Sequence, residues 1–215
     1  MRTFACSAIL FDLDGVLVNS IASVERAWRN FAARHGLDPE LAVKTAHGHR
    51  SIETVRILMP QLDAEVENRV VEQDEIDDAV GLKPTEGAAE LMAVLPADRW
   101  TVVTSGTRVL AIARLRAAGL PIPLKLIAAD DVQNGKPDPE PYLKGAAALG
   151  FRPEDCLVIE DAVSGIRAGH AAGAKVLAVV GTFLADKLAE ADALVHSLAH
   201  ISVELNSDGL LIRIP

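Results

Sequence analysis

Ala8-Ile9-Leu10-Phe11 is an apolar run with no helical period, and it stops abruptly at Asp12-Leu13-Asp14-Gly15-Val16. Such a run predicts a buried strand, whose alternation would send Asp12 and Asp14 to the same side. The period then changes. Ile21, Val24, Ala27, Trp28 and Phe31 recur at helical spacing across residues 20–35, and Gly36 supplies a C-cap. A second helix is predicted from Ser51 toward Met59, ending at Pro60, and a third, acidic and amphipathic, over residues 64–80. No strand pattern falls between Val18 and Leu82, so this stretch predicts a small all-helical insertion. Beyond it, helices over 87–95, 110–118, 139–149 and 164–172 alternate with strands over 100–104, 124–128, 156–159 and 175–180. Gly119, Gly150 and Gly173 follow three of the helices as caps. That alternation implies a parallel, doubly wound α/β sheet. Residues 201–205 and 210–214 flank Asn206-Ser207-Asp208-Gly209 and read as a terminal hairpin.

Composition sets the surroundings. The 215 residues, half of them hydrophobic and only 4% aromatic, suit Ala/Val/Leu-rich helices packed on a sheet. A net charge of -9 argues against a nucleic-acid or acidic-membrane surface, so any anionic ligand needs a local set of donors. Cys6 and Cys156 both lie in apolar runs, which fits buried thiols in a reducing compartment. Asp12 and Asp14 interrupt the N-terminal apolar stretch before it reaches the length of a signal or membrane segment. The expected location is the cytoplasm.

Four predicted strand ends carry chemistry. Asp12 and Asp14 are either an Asp-Gly turn or a catalytic couple. Of two carboxylates placed so close, one tends to gain a cation and the other a proton, which would make Asp12 a nucleophile and metal ligand and Asp14 a general acid/base. Ser105-Gly106-Thr107-Arg108 either caps a helix or holds a phosphate through hydroxyls, backbone N–H groups and the helix N-terminus. Lys136, stiffened by Pro137 and Pro139, is a solvated loop lysine or a fixed countercharge. Glu160 and Asp161 either favour the dipole of the following helix or complete an oxygen shell for a hard divalent cation. A parallel sheet would bring all four to one edge, where α/β folds bind their ligands.

Together, Asp12-Leu13-Asp14-Gly15-Val16, Thr104-Ser105-Gly106-Thr107, Gly135-Lys136-Pro137-Asp138-Pro139 and Glu160-Asp161 with Ser164-Gly165 resemble the haloacid dehalogenase superfamily of phosphohydrolases. Ala46-His47-Gly48-His49-Arg50-Ser51 and residues 134–145 resemble its sugar-phosphate and polyol-phosphate phosphatases, of the glycerol-1-phosphatase and 2-deoxyglucose-6-phosphatase kind. The resemblance implies a Rossmann-like core, residues 1–17 and 83–215, and a helical cap, residues 18–82. It implies magnesium-dependent hydrolysis of a small phosphomonoester through an aspartyl-phosphate on Asp12, with Asp14 as acid/base. Magnesium would be held by Asp12, the Asp14 backbone carbonyl, Asp161 and Glu160. Ser105, Gly106 and Lys136 would bind the phosphoryl oxygens, and His47, Gly48, Arg50 and Glu53 the leaving group. No nucleic-acid or membrane partner is expected, and the chain is expected to be monomeric.

The alternatives are a phosphomutase of the β-phosphoglucomutase type and a catalytically silent phosphosugar-binding protein. Such mutases carry a histidine early in the first cap helix where this chain has Val24, a departure that favours hydrolysis. Trp28, Phe31 and Met59 are expected in the cap core. The acidic residues of the third helix, Glu65, Glu67, Glu72, Asp74, Glu75, Asp77 and Asp78, are expected on a solvated face.

Overall fold

The computed structural model describes residues 1–207 and 209–215. Ser7 divides the N-terminal stretch into two strands, β1 (Arg2–Cys6) and β2 (Ala8–Phe11), that enter different sheets. The expected first strand begins at Ala8, and β1 lies upstream of it. β1 pairs antiparallel with β8 (Gly209–Ile214), which pairs in turn with β7 (Ser202–Asn206). The expected hairpin is therefore present in its strands; Asp208 of its turn lies outside the described residues.

Among the described residues, the larger sheet runs β3 (Trp100–Val102), β2, β4 (Cys156–Glu160), β5 (Lys175–Val179), β6 (Ala193–Val195), every neighbouring pair parallel. β2 is buried along its whole length because both faces of this sheet are covered. Ile9 and Phe11 join Leu157 and Ile159 under α5 (Ala88–Val94) and α6 (Arg108–Ala117), which contribute Leu91 and Leu115. Ala8 and Leu10 join Val158 and Val176 under α7 (Glu140–Leu149) and α8 (Val163–Ala171), which contribute Tyr142 and Ile166.

The strand expected over 124–128 contracts to one bridge between Val103 and Ile127. Ile127 donates to the Val102 carbonyl and accepts from the Thr104 N–H, both at 2.9 Å, before the chain turns at Ala129–Asp131. With Pro121 and Pro123 just upstream, too little chain remains for a ladder. β6 was not legible because it spans only Ala193–Val195.

Helices α1 (Ile21–His35), α2 (Pro39–Ala46), α3 (Ser51–Leu58) and α4 (Ala64–Asp77) form a separate helical layer. Its own apolar cluster contains Trp28, Phe31, Val43, Val55 and Val71, with Met59 packed against it. Gly36 ends α1 at φ 67°, the left-handed conformation a glycine C-cap provides. The layer joins the rest of the chain through a paired neck, in which Asn19 N–H donates to Lys83 O and Thr85 N–H to Leu17 O, both at 2.9 Å.

No helix among the described residues is long and apolar enough to cross a membrane. Cys6 and Cys156 are free, buried thiols, and burial pushes each up to about 12. The folded protein should therefore leave an aromatic disulfide reagent unreacted at pH 8, whereas denaturant should release both thiols. Rapid labelling of the folded chain would contradict that burial.

Candidate active site

Asp12 follows β2, Thr104 and Ser105 follow β3, and Glu160 ends β4, so three parallel strands deliver them to one edge. Lys136 enters from the loop before α7. Its Nζ donates to Asp12 Oδ1 at 2.6 Å, Glu160 Oε1 at 2.7 Å and the Val103 carbonyl at 3.1 Å. These are all the donors an ammonium has, and the residue is only 3% exposed.

Glu160 is equally committed. Its Oε1 also accepts from the Tyr142 hydroxyl at 2.8 Å, while Oε2 accepts the N–H groups of Asp161 and Ala162 at 2.9 and 3.0 Å. Gly165 admits this arrangement, because a Cβ there would lie 1.6 Å from Glu160 Oε1. Glu160 thus anchors Lys136 and the turn after β4, and the oxygens left for a cation belong chiefly to Asp12 and Asp161. Glu160 nevertheless stands in the carboxylate cluster with Asp12 and Asp161.

Burial pushes Asp12 up to about 7, against the pull of Lys136 and with the help of Glu160 and Asp14. Asp161 is raised well above the carboxylate range by burial, then by Glu160 and Asp12. For Lys136 burial favours the neutral amine, but Asp12 and Glu160 outweigh it and hold the ammonium charged. Asp12, Glu160 and Asp161 offer carboxylate oxygens within 4.8 Å of one another. Three buried carboxylates against one ammonium form an electron-rich, all-oxygen donor set, which fits a hard divalent cation. Gly15 keeps that side open. At φ 79° its backbone suits glycine, and a Cβ there would lie 2.1 Å from Asp161 Oδ2. Thr182 donates its hydroxyl to the same oxygen and fixes the carboxylate.

Asp14 reaches the same cavity by another route than strand alternation, because β2 ends at Phe11 and the chain turns at Gly15. Its Oδ1 accepts from the Ser20 hydroxyl, and its Oδ2 from Arg114 Nη1 at 2.7 Å. Arg114, on α6, is 2% exposed and also stands 3.3 Å from Glu75 Oε2 on α4. Glu75 is itself only 3% exposed, which corrects its placement on a solvated face. Burial pushes its carboxyl up to about 7, with Arg114 opposing and Asp14, Glu72 and Asp74 adding to the rise.

Ser105, Gly106, His47 and Gly48 border the cavity, together with Ile21, Val24 and Trp28. Trp28 thus serves both the helical core and the cavity wall. The Gly106 N–H is taken by Thr104 Oγ1 at 3.1 Å. His47 follows the last turn of α2; burial disfavours its charged form and leaves Nε2 without a hydrogen-bond partner. The Gly48 carbonyl accepts from Ser164 Oγ at 2.8 Å, which fastens the α2–α3 loop to the start of α8.

Arg50 and Glu53 do not border this cavity. They pair with each other, and Arg50 donates to the carbonyls of Val132 and Gln133 at 3.3 and 3.0 Å. These bonds tie α3 to the loop that precedes Lys136. Sequence reasoning missed Arg114. Its signal was phase: Leu110, Ala111 and Arg114 share the buried face of α6.

The parallel sheet thus brings the buried Asp12–Lys136–Glu160 system and the adjacent Asp14 to one cavity, an arrangement suited to a hydrolase. Residues 6–173 match the family described as "Hydrolase: haloacid dehalogenase-like hydrolase", and the chain belongs to that family. It is 41% identical to hexitol phosphatase A of Escherichia coli (strain K12), over 96% of this chain and 98% of that one. It is 36% identical to glycerol-1-phosphate phosphohydrolase 2 of Saccharomyces cerevisiae, over 86% and 78% of the two chains. Among solved structures it superposes on CbbY from Rhodobacter sphaeroides in complex with phosphate with a TM-score of 0.79 at 25% identity, covering 90% of this chain and 95% of the other.

Proposed function

We propose that the protein hydrolyses a small sugar or polyol phosphomonoester through an aspartyl-phosphate on Asp12, with a divalent cation of the magnesium type as cofactor. One observation carries this reading. Lys136 fixes Asp12 Oδ1 at 2.6 Å and so aims the other carboxylate oxygen at a cavity that Asp14 also borders. Hexitol and glycerol phosphates in the names of the relatives support the substrate class.

Asp12 attacks phosphorus in line, and the bond to the ester oxygen breaks as Asp14 gives that oxygen its proton. Asp14 then removes a proton from the water that attacks the aspartyl-phosphate, releasing phosphate and restoring Asp12. Arg114 and Ser20 hold Asp14 in place through both carboxylate oxygens. The Lys136 ammonium through its charge, and the Ser105 hydroxyl through its hydrogen bond, stabilise the charge spread over the equatorial oxygens. Asp12 and Asp161 would hold the cation with the Asp14 backbone carbonyl, and when bound it supplies the positive charge that lets phosphate approach three buried carboxylates. Residues 18–82 act as a cap whose closure excludes bulk water. Val24, apolar and on the cavity wall, offers no polar group for a second sugar position, which supports hydrolysis over mutase chemistry.

The purified protein should release phosphate from glycerol 1-phosphate, hexitol phosphates and p-nitrophenyl phosphate, and lose that activity on chelation and regain it with magnesium. Turnover undiminished by exhaustive chelation would overturn the cofactor assignment. Transfer of phosphate between two positions of one sugar would overturn hydrolysis.

A further inference from the structure

The mechanism uses one of Arg114's donors and leaves the others unexplained. Nη1 is bonded to Asp14, but Nε and Nη2 are buried without a hydrogen-bond acceptor. Glu75 Oε2 lies 3.3 Å from Nη2, close enough to pair as an ion but without the alignment of a hydrogen bond. Buried donors of this kind are normally matched. Both residues border the cavity beside Asp14.

A guanidinium with spare N–H groups next to a carboxylate with spare lone pairs is the complement of a hydroxyl, which accepts from one and donates to the other. Charge points the same way. Arg114 already faces two carboxylates, Asp14 and Glu75, so this corner has no positive charge left for a second phosphate. Position adds the rest: Arg114 is bonded to Asp14, the residue the mechanism assigns to the ester oxygen, and Asp14, Arg114 and Glu75 border one cavity. Ile21, Val24 and Trp28 provide an apolar wall for the carbon skeleton.

We infer that Arg114 and Glu75 form a subsite for a leaving-group hydroxyl on the carbon next to the ester-bearing carbon. This rests on the phosphatase reading above. It makes the preferred substrate a phosphomonoester whose leaving group is an uncharged vicinal diol, and assigns recognition of that diol to one residue of the core and one of the helical layer.

The test compares 1,2-propanediol 1-phosphate with n-propyl phosphate, two esters that differ only in that hydroxyl. Wild-type enzyme should favour the diol ester by at least about tenfold in kcat/KM, because the analogue leaves buried polar groups unpaired. In Glu75→Met the ratio should fall to within about threefold, and in Glu75→Gln, which keeps the shape and folds if the apolar variant does not, to an intermediate value. Equal kcat/KM for the two esters in wild type, or a ratio unchanged in Glu75→Gln and Glu75→Met, would overturn the subsite while the hydrolase reading stood. Failure of wild type on both esters and on p-nitrophenyl phosphate would overturn the phosphatase reading, and the subsite with it.

Discussion

Asp12→Asn should be inactive yet at least as stable as the parent. Removing a covalent nucleophile typically costs about 10^4-fold or more, so phosphate release should fall to background with magnesium present. Stability should move the other way. Burial holds the Asp12 carboxyl near 7 instead of its ordinary 3.8, so the folded state prefers it protonated. Its contribution to metal-free stability is fully present below about pH 4 and is lost as pH rises through about 7. Asparagine has no such ionisation and can still accept from Lys136. Thermal melts in chelator at pH 8 should therefore place the variant level with wild type or a few degrees above it. A large fall in melting temperature would mean that the Asp12 charge stabilises the fold, contrary to this account.

Lys136→Met should be costly in both respects. Its ammonium is the positive charge bonded directly to Asp12 and Glu160 within this buried group of carboxylates. Leaving buried charges unpaired typically costs about 3–5 kcal/mol. For a chain of this size, about 3 °C of melting temperature per kcal/mol makes the fall on the order of 10 °C. Losing this fixed positive charge beside the phosphoryl site should separately lower kcat by about 10^2 to 10^3. The sign of the pH dependence distinguishes this from loss of packing. Without Lys136 nothing opposes the rise of the Asp12 carboxyl, so the metal-free variant should regain stability in acid, where the carboxylates are protonated, and be weakest at pH 8. A deficit equal at pH 5 and pH 8 would point to packing alone.

The sequence displayed the core because its strands are buried on both faces and end in polar residues. Phe11-Asp12 and Ile159-Glu160 mark such ends directly, and Lys136 joins Asp12 and Glu160 there from the loop before α7. Asp14 was identified for its chemistry, but the alternation argument for its direction failed beyond the end of β2. Glu75 was hidden by its neighbours. On an acidic helix it reads as one more solvated charge, although Val71 one turn before and Ala79 one turn after are both buried. An ionic pair between distant segments leaves no periodic signature of its own; only the phase of each helix discloses it. α2 escaped notice, although Asp38 accepting from Glu40 N–H and Pro39 in the first turn are an ordinary helix start.

The paired neck has a consequence for how this architecture can vary. Leu17 and Thr85, like Asn19 and Lys83, are hydrogen-bonded neighbours, so the chain leaves the sheet and returns to it at almost the same point. To the sheet, everything between is a loop whose ends already touch, and the closure entropy of such a loop grows only slowly with its length. The intervening segment can therefore be exchanged, shortened or enlarged while Asp12, Lys136 and Glu160 keep their places. Arg114 is one place where that independence ends: a replacement segment without an acidic partner for it would inherit the chemistry but not the fit.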